Sequence, residues 1–289
     1  MALIDRRSVA EDDLGDRFAD VRTLHRGARF TVYEARDVTI RRTVAVKVPL
    51  RGGPRWLHEI IDHQANVLAP ICTHPHIISL YQRLELDDGR PGLVLERCRG
   101  TLADALQGGR RLSARDVAAI GVKLAGALET THNGDVVHCN VHPGNVLLSE
   151  WGEPVLSGYN EAVRIGAGQS GRPALQTTTS HTAPELLQGL EAQVQTDVYG
   201  LAATLYELVA GRGAFRAYAG ESPAAIIVRV LSGSVRPIVD PEIPLTLSDL
   251  LTWAMSGQPN DRPPSPAWLA EELNRIEIEQ GWTRTRLIG

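Results

Sequence analysis

The chain of 289 residues has little of several things, and each scarcity narrows the field. Its three cysteines, Cys72, Cys98 and Cys139, are odd in number and far apart. That argues against a disulfide framework and for a reducing compartment, the cytoplasm. The formal net charge is only −4, so no strong basic field exists to draw nucleic acid or an anionic membrane. The most apolar runs, "VAAIGVKLAGAL" and "VYGLAATLYELVAG", fall short of the roughly 18 residues that a membrane span needs. The opening "MALIDRRSVAEDDLGDRF" is charged throughout and has no signal-peptide core. Internal repeats and low-complexity segments are missing too.

What is present describes an ordinary globular protein: 43% hydrophobic and 22% charged residues, in a length that allows one large domain or two smaller lobes. Residues 18–50 alternate short β-type runs with turns, "FADVRTL", "TVYEARD" and "TVAVKVP". "RWLHEIIDHQANVLAPI" then carries Trp56, Ile60, Ile61, Val67, Leu68 and Ile71 at helical spacing, predicting one apolar face. Two more β-like runs, "HIISLYQRLEL" and "PGLVLERC", flank the turn "DDGR". Beyond Cys98 the pattern turns helical. "SARDVAAIGVKLAGALETTHN" has Ser113 as N-cap, and "TDVYGLAATLYELVAG" is apolar nearly all round, with Thr196 or Asp197 as cap and Gly211 as stop. Helical patterns return in "PAAIIVRVLSG", "LSDLLTWAMSG" and "SPAWLAEELNRIEIEQ". Residues 166–180 read as a Gly/Ser/Thr loop; Trp282 and the end "GWTRTRLIG" read by default as a frayed terminus, with a docking segment as the alternative.

Between these elements stands "VVHCNVHPGNVLLSE", residues 136–150, which has the form of an active-site loop with its chemistry altered. Asn140 occupies the place where a carboxylate would act, and an amide takes up no proton at neutral pH. His138, Cys139 and His142 in the same run also raise a metal site, but no second ligand cluster accompanies them.

Taken in order, "VAVK", "HPHIISLY", the 138–145 loop, "HTAPELL", "TDVYGLAATLYELVAGRGAF" and "NDRPPSPAWLAEEL" resemble the protein kinase family, most nearly its bacterial serine/threonine members. The resemblance spans roughly residues 14–275 and implies an α+β, bilobal fold. The implied divisions are an extension (1–13), a β-rich N-lobe with one main helix (14–98), a helical C-lobe (99–276) and a tail (277–289). It implies nucleotide contacts at Gly27, Lys47 and Asn145, and structural roles for Gln64, His138, Thr178, Glu185, Asp197 and Arg262. Glu185 is expected to pair with Arg262, and Asp197 to hold the backbone of residues 138–140.

Against the family pattern several positions are degenerate. Asn140 stands at the general base, His142 at the catalytic lysine and Cys139 at the arginine. Gly158, Tyr159 and Asn160 replace the metal-binding Asp-Phe-Gly, leaving Asn145 as the sole surviving metal-ligand position. His25 and Phe30 stand at two glycine positions of the phosphate loop, and Gln64, rather than Glu59, at the helix glutamate that faces Lys47. These changes predict a pseudokinase rather than an enzyme. It would be a scaffold or allosteric regulator in serine/threonine kinase signalling, with a protein partner such as an active kinase or a phosphothreonine-binding domain. No cofactor is expected and no metal, although ATP binding without magnesium-dependent catalysis is allowed. The alternative is a weak or unconventional ATP-dependent transferase. Thr177, Thr178 and Thr179 are candidate phosphorylation sites in a polar loop.

Overall fold

The computed structural model describes residues 14–166, 180–215, 222–233 and 235–289. The candidate threonines 177–179, most of the 166–180 loop and the 1–13 extension lie outside those residues. The chain divides into two compact units, one of residues up to Thr73 with Ile78–Cys98, the other of His74–Ile77 with Arg99–Gly289.

The first unit is an antiparallel sheet of five strands, β1 (Phe18–Arg26), β2 (Phe30–Asp37), β3 (Arg42–Pro49), β4 (Leu80–Glu85) and β5 (Pro91–Leu95), in the order β1-β2-β3-β5-β4. Period-2 alternation in β2 buries Thr31, Tyr33 and Ala35 while neighbours stay partly exposed, as a sheet with one core face requires. Val44, Val46 and Val48 of β3 join Tyr33, Leu84 and Val94 in that core. The main helix described there, α1 (Trp56–Leu68), packs against β3, β4 and β5. Its buried face is Leu57, Ile60, Ile61, Gln64, Ala65, Val67 and Leu68. Trp56, expected on that face, is instead 45% exposed, because it opens the helix before the first turn reaches the sheet.

The second unit is mainly helical. Short strands β6 (Gly100–Thr101), β8 (Val146–Leu148) and β9 (Pro154–Leu156) form one small sheet, and β7 (Val136–Val137) pairs with β10 (Val163–Arg164). The helices are α2 (Leu102–Ala105), α3 (Ala114–Asn133), α4 (Pro184–Leu187), α5 (Val194–Ala210), α6 (Pro223–Leu231), α7 (Leu245–Ala254) and α8 (Pro266–Glu279). Ser113 caps α3 by accepting the Asp116 N–H. Helix α3 packs against α5 and α8, and α5 packs against α7 and α8. The cap of α5 falls at Gln193, one turn before the expected Thr196 or Asp197, since both of those side chains are drawn to tertiary partners. Gly211 ends α5 with φ +68°, the left-handed turn in which glycine is least strained.

The chain end follows the docking alternative rather than the frayed default: residues 287–289 lie against Gly126 and Glu129 of α3, and the Ile288 carbonyl accepts the Nε2–H of buried His74 at 2.9 Å. The α+β class is borne out: a β-rich N-terminal unit with one helix and a helical C-terminal unit.

Candidate active site

The β-rich unit contributes a buried lysine. On β3, Lys47 lies across from Val32 and Leu93, and its Nζ donates to Oε1 of Gln64 on α1 at 2.8 Å. The seventeen-residue spacing noted in sequence therefore brings Gln64, not Glu59, to the ammonium. Burial, reinforced by the positive charge of Arg29, pushes the Lys47 ammonium down to about 7. The Phe30 ring sits 4.7 Å from Nζ, a cation–π contact that places an aromatic body beside the lysine. The turn before it is closed by Gly27 N–H donating to the Phe30 carbonyl at 2.9 Å. The His25 imidazole lies over Gly27, with Nε2 3.2 Å from where a Cβ would stand. In this unit His25 and Phe30 thus occupy space around the turn that glycines would leave open.

The helical unit builds the 138–145 loop around one carboxylate. Asp197, 1% exposed in α5, accepts the His138 N–H (Oδ2, 2.8 Å), the Cys139 N–H (Oδ1, 2.8 Å) and the His132 Nε2–H (Oδ2, 2.8 Å). Those bonds hold Cys139 at φ +65°, a conformation that a non-glycine residue adopts only when its surroundings fix it. His138 is fully buried; its Nε2 donates to the Ser157 carbonyl at 2.9 Å while Nδ1 accepts the Asn140 N–H at 3.1 Å. The pair of bonds selects the Nε2–H tautomer, and desolvation holds the ring neutral by lowering its pKa. Tyr159 meets His138 edge-on at 4.4 Å, and its hydroxyl lies 3.0 Å from Thr131 Oγ1. Burial pushes the Tyr159 phenol well up.

The altered positions are also resolved. The Asn145 side-chain amide donates to the Asn140 carbonyl at 2.9 Å, and the Asn145 carbonyl accepts both Ser157 N–H (2.8 Å) and Ser157 Oγ (2.9 Å). Gly158 has φ +85°, and a Cβ there would fall 2.3 Å from Asn145 Cγ. The Asn145 amide thus lies where a side chain at 158 would begin. Asn160 follows, half-buried in the short turn Tyr159–Glu161. His142 accepts the Gly144 N–H through Nδ1 at 3.1 Å. Burial, with the nearby His181 and His138, brings its pKa down to about 4, so it carries no charge at neutral pH. His181, 6.2 Å from His142 ring to ring, stands 2.7 Å from the Glu207 carboxylate, which it holds below the usual carboxylate range.

Farther out, Glu185 and Arg262 are both buried and joined twice, Oε1 to Nη1 and Oε2 to Nη2, each at 2.8 Å. Thr196 donates to Glu185 at 2.7 Å, and Arg262 also donates to the carbonyls of Gln195 (2.9 Å) and Ser256 (2.8 Å). Sequence reasoning overlooked His132, His181 and Glu207. His132 was hidden in the last turn of a long helix, where a basic residue ordinarily serves the helix terminus.

The residues at hand do not fit the magnesium ions of the family. Nδ2 of Asn145 donates to a backbone carbonyl and leaves its neutral Oδ1 as a single ligand, Gly158 offers no side-chain oxygen, and among the described residues no group of three or more His, Cys, Asp or Glu side chains could hold a metal ion. No described helix is long and apolar enough to cross a membrane.

Comparison with known proteins agrees with this arrangement. Residues 18–273 match the protein kinase domain. The serine/threonine-protein kinase PknK of Mycobacterium bovis is 31% identical over 265 residues, covering 91% of this chain and 24% of that protein. The PknK of Mycobacterium tuberculosis gives the same identity and coverage. Serine/threonine-protein kinase PkaB of Streptomyces coelicolor is 30% identical over 264 residues, 86% of this chain and 60% of that protein. This chain therefore spans about a quarter of the length of the PknK relatives.

These findings correct one expectation. Loss of the base and of the metal-binding aspartate pointed to a protein that is no enzyme, whereas relatives 31% identical across most of the chain are named as protein kinases. The physical reason lies in what phosphoryl transfer asks of a protein, chiefly positioning and charge rather than covalent help. Asp197 orders the 138–140 backbone and Gln64 holds Lys47, whatever proton acceptor stands at 140.

Proposed function

Since the chain belongs to the protein kinase family, we propose that it is a slow, unconventional ATP-dependent transferase acting on serine or threonine hydroxyls of proteins. Its place is in serine/threonine kinase signalling, where regulation runs through protein contacts with an active kinase or a phosphothreonine-binding domain. The observation that carries this reading is Lys47, buried on β3 and fixed 2.8 Å from Gln64. A lysine so held would contact the phosphates of the nucleotide.

In the transfer, a bond forms from the attacking hydroxyl oxygen to the γ-phosphorus. The bond from that phosphorus to the bridging oxygen breaks, ADP leaves, and the hydroxyl proton passes to solvent. Asn140 orients the hydroxyl by accepting a hydrogen bond but takes no proton. Losing a positioned general base costs about 10²–10⁴ in rate. Set against ordinary kinase turnover of about 1–100 per second, that leaves on the order of 10⁻⁴ to 1 per second. His142, neutral at pH 7, adds no fixed cation.

Incubation with γ-labelled ATP and magnesium or manganese tests the proposal. Label on the chain or on a basic protein substrate is expected to accumulate slowly and to vanish in Lys47→Ala. Incorporation no greater than in Lys47→Ala overturns transfer. A thermal-shift titration separates binding from turnover, since ligand at 100 times Kd adds about 2.7 kcal/mol of stability.

A further inference from the structure

The tail contacts a site that is built for it. Glu277 of α8 is 1% exposed, and its carboxylate takes its donors from the tail and a neighbour. Thr285 N–H donates to Oε2 at 2.7 Å, Thr285 Oγ1 to Oε1 at 2.6 Å, and the Asn274 amide to Oε2 at 2.9 Å. The same Asn274 amide donates to the Thr285 carbonyl at 2.9 Å. At the far end, buried His74 donates Nε2–H to the Ile288 carbonyl at 2.9 Å, while its Nδ1 accepts the His76 N–H at 3.1 Å. Beside the same carbonyl stands Gly126 of α3: a Cβ there would lie 1.8 Å from the Ile288 oxygen and 3.3 Å from Leu287 Cδ1. A buried acid, a buried donor and a helix face bared of side chain all await an extended backbone.

We propose that the α3 face around Gly126, with Glu277 and His74 at its ends, is a peptide-binding groove. Its ligand is an extended segment with threonine followed two and three residues on by leucine and isoleucine, and residues 285–288 are its exchangeable occupant in cis. The recognition is mostly backbone hydrogen bonding with one hydroxyl and one half-buried leucine, so a free peptide can reproduce it. Tethering through only a few residues beyond α8 gives the cis segment an effective concentration of about millimolar, which shuts out weaker ligands in trans. A negative charge at position 285 would face the Glu277 carboxylate and release the tail. This inference does not depend on transfer activity.

The test uses the full chain as wild type, Thr285→Glu and Gly126→Val. Arg284 and Arg286 within the tail are trypsin sites, so cleavage there reports release. Wild type is expected to be cut slowly and to bind no fluorescein-labelled peptide of residues 281–289 at micromolar concentration. Thr285→Glu should be cut about tenfold faster and bind the peptide saturably, because its groove is vacated but intact. Gly126→Val should be cut as fast yet bind nothing, because its groove is filled. Equal cleavage of wild type and Thr285→Glu, or peptide binding by Thr285→Glu no stronger than by wild type, overturns the proposal. Should Gly126→Val fail to fold, the Thr285→Glu comparison decides alone.

Discussion

A lysine that titrates near neutrality makes the nucleotide interaction depend on pH in a specific direction. Below about 7 the Lys47 ammonium is charged and attracts phosphate; above it the burial that lowers its pKa leaves a neutral amine. ATP-induced thermal stabilisation is therefore expected to shrink between pH 6.5 and 8.5 and to flatten in Lys47→Arg, whose charge persists across that range. A shift that grows with pH would contradict this. The lysine and its amide partner were legible in sequence, since Gln64 falls in phase with Leu68 on a helix that begins shortly after "VAVK". His181 and Glu207 were not. Their 2.7 Å approach joins a segment before α4 to the last turn of α5, and neither residue carries a local signature.

At the scale of elements, the Glu185–Arg262 pair fastens α4 to the turn before α8 and to the start of α5. With both side chains almost wholly inaccessible, removing one leaves the other charged and buried. Arg262→Ala is expected to lower unfolding free energy by about 3–5 kcal/mol, read from the urea midpoint. A loss under about 1 kcal/mol would show the pair to be marginal, as surface pairs are. Most elements could be read from periodicity and caps, because α1, α3 and α5 each bury a continuous apolar face. The site against which the tail docks could not. A glycine inside α3 sacrifices about 1 kcal/mol of helix propensity, and the reason for it lies more than 150 residues away at Ile288. No window of sequence holds both.

For the whole molecule, buried histidines set the response to acid. His76, His138 and His142 all have pKa values lowered chiefly by desolvation, His142 to about 4. An unfolded chain protonates such rings near 6.5, the folded chain only well below, so the unfolded state binds more protons in between. Their contribution to stability is complete above pH 6.5 and is lost as pH falls toward 4. The melting temperature is expected to drop from pH 7 to pH 5, and less steeply in His142→Gln. Glu34, Asp37 and Glu207, held below the usual carboxylate range, contribute stability that is lost only as pH falls through the unfolded carboxylate range near about 4, which leaves the interval from pH 7 to 5 chiefly to the histidines. A melting temperature flat across the interval would contradict the assignment.

The contact of Asn145 with the bare backbone at Gly158 also bears on how the loop could be re-engineered. An acid reinstated at 158 would meet the Asn145 amide at once and could settle only after that amide let go of the Asn140 carbonyl. A working carboxylate at 158 therefore takes two changes made together, one at that position and one that frees the space the Asn145 side chain fills.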